Sequence, residues 1–307
     1  MSRLTLSVII VTYNRCKDLE ECLDSLFSME RSPDKVIVVD SCSSDGTPDL
    51  VRRYPVGYLA IRERSMVKAR NIGLKYTKED VVAYIDDDVV VCKNWSRFIL
   101  EPYEDGSVAG VGGRVLPYGA KETFHIPLKH STIGKVFNNG LVLGNFDTPL
   151  QQPIEVDAFI GCNMSFKREL LIKIGGFDEN FKGNCFRDDT DACVRLGRLG
   201  YKLIYQPKAL LWHKFKGKIT NHKWVYWYTR NHTYYYLKNF FPQSKVRLVL
   251  PFLYRMFSPP QNYVERSGIK VKPSPRVLIY ALKGLIDGVR EASYWKTCVD
   301  GSCYLRA

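Results

Sequence analysis

Val81-Val82-Ala83-Tyr84-Ile85-Asp86-Asp87-Asp88 runs from apolar to acidic within eight residues. The apolar half is continuous rather than alternating, as in a strand buried on both faces. The acidic half marks where that strand leaves the core. Moving upstream, residues 66–76 carry a helical pattern and residues 56–61 a short strand. Residues 49–54 read as a helix opened by the turn Ser44-Asp45-Gly46-Thr47-Pro48. Residues 35–39 form a second apolar run and end in Asp40. Residues 17–29 place apolar side chains at 19, 22, 23, 26 and 27, a helical spacing, and residues 6–11 are again a β-branched run. Strand and helix therefore alternate, which predicts an α/β fold with a parallel, doubly wound sheet. Ligands in such sheets bind beyond the carboxyl ends of the strands. Asp40 and Asp86 both fall at such ends.

Three adjacent carboxylates repel one another, by about 4 kcal/mol per pair at ~4 Å and an effective dielectric near 20. A solvated acidic turn relieves that repulsion; so does a cation. Along an extended backbone Asp86 and Asp88 share a side and Asp87 takes the other. Oxygen donors suit a hard divalent ion such as Mg²⁺ or Mn²⁺, which commonly joins carboxylates to substrate phosphates. Asp45 fits a turn and helix cap. Asp40, closing an apolar strand, is placed to accept hydrogen bonds from a base or ribose. Arg187-Asp188-Asp189-Thr190-Asp191 opens a helix over 188–200. The helix dipole favours acids there, yet three in four positions exceed what capping requires, and one could act as a general base toward a hydroxyl. His213 follows Ala209-Leu210-Leu211-Trp212 and reads either as structural or as a metal ligand.

Residues 107–160 are mixed strand and loop, 168–174 a helix closed by Gly175-Gly176, and 202–205 a short strand. Beyond about residue 215 the character changes. Residues 1–200 hold 26 Lys/Arg against 28 Asp/Glu, whereas residues 201–307 hold 19 against 4. The basic charge thus belongs to the C-terminal third, where Trp224, Tyr226, Trp227, Tyr228, Tyr234, Tyr235 and Tyr236 are interleaved with it. That composition implies a polyanionic partner. We expect a domain over 1–215 and a basic, aromatic helical extension over 216–307. Its two apolar segments, 246–257 and 276–289, are too short to span a bilayer and suit an interfacial position. Packing on the catalytic domain is the other reading. The nine cysteines are scattered without paired spacing, as expected of reduced thiols. The N-terminal apolar run is short and lacks a small-residue cleavage site, so it reads as a strand of a cytoplasmic protein.

In order, these pieces resemble the family 2 inverting glycosyltransferases of the GT-A fold. The matching stretches are Ser7-Val-Ile-Ile-Val-Thr-Tyr-Asn14, Val38-Val-Asp40, Ser44-Asp-Gly-Thr47, Lys68-Ala-Arg-Asn-Ile-Gly73 and Tyr84-Ile-Asp-Asp-Asp88. Further matches are Gly161-Cys-Asn-Met-Ser-Phe166, Ile174-Gly-Gly-Phe-Asp178 and Asp188-Asp-Thr-Asp191, within residues 5–215. The resemblance implies a Rossmann-like, mostly parallel sheet flanked by helices. It implies an NDP-sugar site lined by Thr12, Tyr13, Asp40, Asp45, Lys68, Arg70, Asp86 and Asp87. Asp86 and Asp88 match the DXD motif, and Asp88, Asp86 and His213 are implied as ligands of Mn²⁺ or Mg²⁺. Gly161, Cys162 and Asn163 fall on the acceptor side. Asp189 matches the usual general base, with Asp188 in place of the commoner Glu beside it. The QxxRW pattern of processive synthases is absent, which favours transfer of a single sugar. The implied partners are an NDP-sugar donor and a glycan acceptor; the basic, aromatic extension adds the expectation of an anionic membrane surface, at the inner face of the cell membrane, which would suit a lipid-linked acceptor. Two rivals remain in view. A sugar nucleotidyltransferase would begin with a Gly-rich phosphate loop, whereas here the first strand ends in Thr12-Tyr13-Asn14-Arg15. A nucleic-acid-binding protein would use the basic third, and nucleic acid is the less favoured partner; the intact acidic positions argue against a catalytically dead sugar-nucleotide binder.

Overall fold

The computed structural model describes residues 3–125, 132–138, 140, 142–214, 222–240 and 274–299. The apolar segment 246–257 and Cys303 lie outside them. In chain order the elements are β1 (Leu6–Thr12), α1 (Cys16–Phe27), β2 (Lys35–Ser41), α2 (Thr47–Val51), β3 (Gly57–Ile61), α3 (Met66–Lys75), β4 (Val81–Asp86), β5 (Val89–Val91) and α4 (Trp95–Leu100). There follow β6 (Val108–Pro117), β7 (Lys135–Val136), β8 (Val142–Leu143), β9 (Ile154–Glu155), β10 (Asn163–Lys167), α5 (Arg168–Lys173), α6 (Asp188–Arg198), β11 (Lys202–His213), α7 (His222–Phe240) and α8 (Pro275–Val299).

The chain divides into two compact units. The first comprises residues 1–135, 143–178 and 192–215, and holds the main sheet. Its strand order is β3-β2-β1-β4-β10-β6-β11-β5. β3, β2, β1 and β4 run parallel, as the alternating pattern requires. The rest is mixed: β10 is antiparallel to β4 and β6, β6 and β11 are parallel, and β5 is antiparallel to β11. Sequence reading expected a strand only over 202–205, but β11 continues to His213. Pro207 has no N–H to give a ladder, and the pairing with β6 shifts between Gln206 and Leu210. The strand passes through that irregularity and resumes.

Burial follows the patterns read from sequence. Leu19, Cys22, Leu23 and Leu26 of α1 are buried at helical spacing, and β1, β2 and β4 are buried on both faces. α3 starts on Ser65, whose hydroxyl accepts from the Lys68 amide, and Gly73 lets that helix lie close on the sheet. A Cβ there would stand 2.7 Å from the Ile9 side chain.

The second unit comprises residues 136–142, 179–191 and 216–307. The expected cut at 215/216 therefore omits two segments that pack with the C-terminal third. The 179–191 segment is pinned to α7. Asn231 donates to the Lys182 carbonyl at 2.7 Å, Arg230 reaches the Asn180 carbonyl, and the Phe181 and Tyr234 rings meet edge-on at 5.2 Å. Asp191 is fully buried; it binds Lys238 Nζ at 2.9 Å and accepts from Asn239 Nδ2 at 2.9 Å. α8 runs along α7 in the same direction, with His222 against Tyr280, Tyr226 on Asp287 and Arg230 on Glu291. Gly284 and Gly288 permit this approach, since a Cβ at either would fall 2.4 Å or 2.6 Å from an α7 carbonyl oxygen. Among the described residues no helix is long and apolar enough to cross a membrane.

Removing one partner of a buried ion pair strands the other charge, at a cost of about 3–5 kcal/mol. Lys238→Ala is therefore expected to lower the unfolding free energy of the full chain by that order, measured by urea titration. A change under about 1 kcal/mol, the usual value of an exposed pair, would show that Asp191 does not depend on Lys238.

Candidate active site

The order β3-β2-β1-β4 reverses direction between β1 and β4, and the crevice at such a reversal is where open α/β sheets bind ligands. Thr12 ends β1 there and Asp86 ends β4. Thr12 Oγ1 donates to Asp87 Oδ2 at 2.8 Å across the gap. Asp87 is thus buried and turned toward β1, while Asp86 and Asp88 turn toward His213. The His213 Nε2 lies 3.0 Å from Asp88 Oδ1 and 3.8 Å from Asp86 Oδ2. Strand register explains the meeting. β11 pairs with β5 so that His213 stands opposite Val89, the residue after Asp88, and the Lys214 amide donates to the Asp88 carbonyl.

Asp86, Asp88 and His213 offer one donor atom each, all within 4.8 Å of one another. Ligands about 2.1 Å from an octahedral ion are roughly 3 Å apart when adjacent and about 4.2 Å when opposite. The two His213 spacings, 3.0 Å and 3.8 Å, fall in that range, and two carboxylates with one imidazole suit a divalent first-row ion. The residues present can hold a metal ion.

Arg15, at the N-cap of α1, was not picked out by sequence reading. Its Nη1 lies 2.9 Å from Asp87 Oδ1 and 2.7 Å from Asp88 Oδ2. The signal was present, since Arg15 follows the β1 terminus by three residues and a cation at that edge offsets three acids. Burial pushes the Asp87 carboxyl up to about 6, against the pull of Arg15 and Thr12 and with the help of Asp88 and Asp86. Burial also raises Asp88, but the His213 hydrogen bond and charge, with Arg15, outweigh it and hold the carboxyl below its ordinary value. For His213 burial acts downward; the Asp88 hydrogen bond and both carboxylates reverse it and hold the imidazole above its usual range.

The other residues implied for the donor site lie along the same unit, several with their polar atoms already engaged. Asp40 is buried, accepting from the Ser43 amide at 2.8 Å and the Tyr58 hydroxyl at 2.7 Å. Asp45 accepts from the Cys16 amide and from Thr47, so it caps the starts of α1 and α2. The Arg64 guanidinium lies over the Tyr13 ring at 4.0 Å. Lys68 pairs with Glu63. Arg70 is buried, donates to the Gly161 carbonyl at 3.3 Å and lies over Phe177. On the acceptor side, Cys162 and Asn163 are buried too. The Asn163 amide accepts from Trp95 Nε1 and donates to the carbonyls of Arg114 and Ala209. Its side chain is committed to joining β6, α4 and β11, so of the three expected acceptor-side residues only Gly161 is partly exposed.

In the second unit, Asp188 is buried and Asp189 is partly exposed. Asp189 Oδ1 accepts from the Thr190 amide at 2.6 Å. Asp191 is the structural member of the group, held by Lys238 and Asn239.

A doubly wound half-sheet with an Asp-Asp-His group at its reversal point is the arrangement of the GT-A class of glycosyltransferases. The model of the family described as "Glycosyl transferase family 2" matches residues 7–175. The chain belongs to that family, and is a glycosyltransferase. It is 28% identical over 240 residues to the glucosyl-dolichyl phosphate glucuronosyltransferase of Haloferax volcanii, covering 72% of this chain and 73% of that one. It is 27% identical over 230 residues to the pre-mycofactocin glycosyltransferase of Mycobacterium tuberculosis, covering 73% of this chain and 45% of that longer protein. Among solved structures it resembles the mannosyltransferase PcManGT of Pyrobaculum calidifontis, in complex with GDP-Man and Mn²⁺, with a TM-score of 0.57 at 21% identity, covering 99% of this chain and 82% of that one. It also resembles S. aureus TarS 1-349, with a TM-score of 0.58 at 18% identity, covering 98% and 93%. At these identities the structural likeness establishes the fold.

Proposed function

We propose that the chain moves a single sugar, with inversion, from an NDP-sugar to a hydroxyl of a glycan or lipid-linked acceptor, and that Mn²⁺ or Mg²⁺ supports the transfer. The convergence of Asp86, Asp88 and His213 at the carboxyl edge of the sheet carries this reading. These three would hold the ion, which when bound supplies positive charge to the donor diphosphate and the departing nucleoside diphosphate. Thr12, Tyr13, Asp40, Asp45, Lys68 and Arg70 would line the nucleoside side, and Asp87 would hold β1 against β4 with Arg15. Asp189, the more exposed of the leading acids of α6, would take the proton from the acceptor hydroxyl as its oxygen attacks the anomeric carbon. The bond from that carbon to the diphosphate breaks on the opposite face. Asp188 is the alternative base. The dolichyl phosphate in the name of the Haloferax relative supports a lipid-linked acceptor, and hence work at the cytoplasmic face of the membrane.

A panel of NDP-sugars with Mn²⁺ or Mg²⁺ tests the reading. One donor is expected to release nucleoside diphosphate only when the ion is present. Release of pyrophosphate from a nucleoside triphosphate and sugar phosphate would point to a nucleotidyltransferase instead.

A further inference from the structure

α8 carries two unlike faces. Val277 and Ala281 are buried against Val225 of α7, and Gly284 and Gly288 continue that contact side. Leu278, Ile279, Leu282, Ile286 and Val289 are all exposed, Ile279 at 62%. At 3.6 residues per turn these five fall within an arc of about 100°. The charges are sorted around the same circle. Asp287 and Glu291 turn inward, accepting from Tyr226 at 2.8 Å and pairing with Arg230 at 2.9 Å. Arg276, Lys283 and Arg290 are exposed, and lie on the flank between the apolar arc and the acids. The outward surface is therefore apolar with a basic border, its acids drawn into the α7 contact.

Contiguous exposed apolar side chains on a helix mark an interaction surface. A protein partner would be met by any charge pattern complementary to its own. This one excludes acids from the outward face, in a segment where 19 Lys/Arg stand against 4 Asp/Glu, and that sorting fits an anionic lipid surface. We propose that the outward face of α8 lies in the interface of an anionic membrane, with Leu278, Ile279, Leu282, Ile286 and Val289 among the acyl chains and Lys283 and Arg290 at the headgroups. The inference rests on the proposed lipid-linked acceptor for its purpose, but its geometry belongs to α7 and α8 alone.

Flotation of the full chain with vesicles of phosphatidylcholine, with and without phosphatidylglycerol, tests it. The chain is expected to float with the mixed vesicles at low salt. Ile279→Gln with Ile286→Gln should lower the bound-to-free ratio by roughly tenfold or more. Lys283→Gln with Arg290→Gln should weaken binding to the mixed vesicles and flatten its salt dependence. Metal-dependent release of nucleoside diphosphate is measured on each variant and is expected to stay unchanged, which also reports correct folding. A wild-type chain left at the bottom of the gradient overturns the proposal, as does an apolar double variant that floats like wild type. A dimer in solution that the same double variant dissociates, without flotation, would assign the face to a second copy and also overturn it. Flotation without any NDP-sugar turnover would leave the docking standing and sink the functional reading.

Discussion

Asp88→Asn is expected to reduce metal-supported NDP-sugar turnover by at least about two orders of magnitude and to raise the metal concentration needed for half-activity. The scale follows from metal sites in which loss of an outer partner alone lowers affinity about 10–100-fold; Asp88 would be a direct ligand. Its position makes the effect larger than that of its neighbours. One oxygen meets His213 and the other meets Arg15, so the substitution removes a donor atom, loosens the imidazole and leaves the Arg15 guanidinium paired with Asp87 alone. Asp87→Asn should behave differently. Asp87 holds Thr12 and Arg15, and its neutral amide could keep one of those contacts, so stability should fall more than the metal requirement changes. Titrating Mn²⁺ against nucleoside diphosphate release, with urea unfolding of the same samples, separates the two. An Asp88→Asn enzyme with a wild-type metal curve would remove Asp88 from the ligand set.

Why the strand ending in Asp86 was legible, and other features were not, has a physical basis. Residues 81–88 carry a local signal, an apolar run followed by charge, and β4 buries Val81–Ile85 between β1 and β10. β1 and β2 were readable for the same reason. His213 was readable as a residue but its strand was not. Pro207 breaks the pattern that would have announced β11, and only pairing with β6 and β5, both distant in sequence, restores it. Asn163 shows the opposite case, a motif residue whose partners have no local signal. Its place in a Gly-Cys-Asn motif drew it to the acceptor side, whereas three hydrogen bonds to residues 46 to 68 positions away bury it. Arg15 was overlooked because a lone arginine after a strand has many uses, and its partners appear only when β1 and β4 are laid side by side. The basic third held the largest surprise. Aromatic and basic density suggested a surface-seeking extension, and the outward arc of α8 keeps that character. α7, however, spends Arg230, Asn231, Lys238 and Asn239 on the 179–191 segment. Polar residues in a nominal appendage were contacts to the segment that leads into α6 and its candidate base.

That arrangement bears on the second large effect, the loss of transfer expected for Asp189→Asn. A positioned general base contributes typically 10²–10⁴-fold, so turnover with the preferred donor and acceptor should fall by about that factor while donor binding, read by competition with the nucleoside diphosphate, stays near wild type. The three acids of Asp188-Asp189-Thr190-Asp191 are separable by their surroundings. Asp191 is fully buried on Lys238 and Asn239, so its replacement should cost folding. Asp188 is buried as well. Asp189 is partly exposed, and its Oδ1 accepts locally from Thr190, which leaves its second oxygen able to receive a proton. Removing it should therefore cost chemistry and little stability. The Asn variant retains an acceptor oxygen for Thr190, which makes it a better probe than Ala. Parallel Asp188→Asn kinetics decide between the two carboxylates: if Asp188→Asn abolishes turnover at wild-type stability while Asp189→Asn transfers normally, the proton goes to Asp188, and the exposure argument for Asp189 fails.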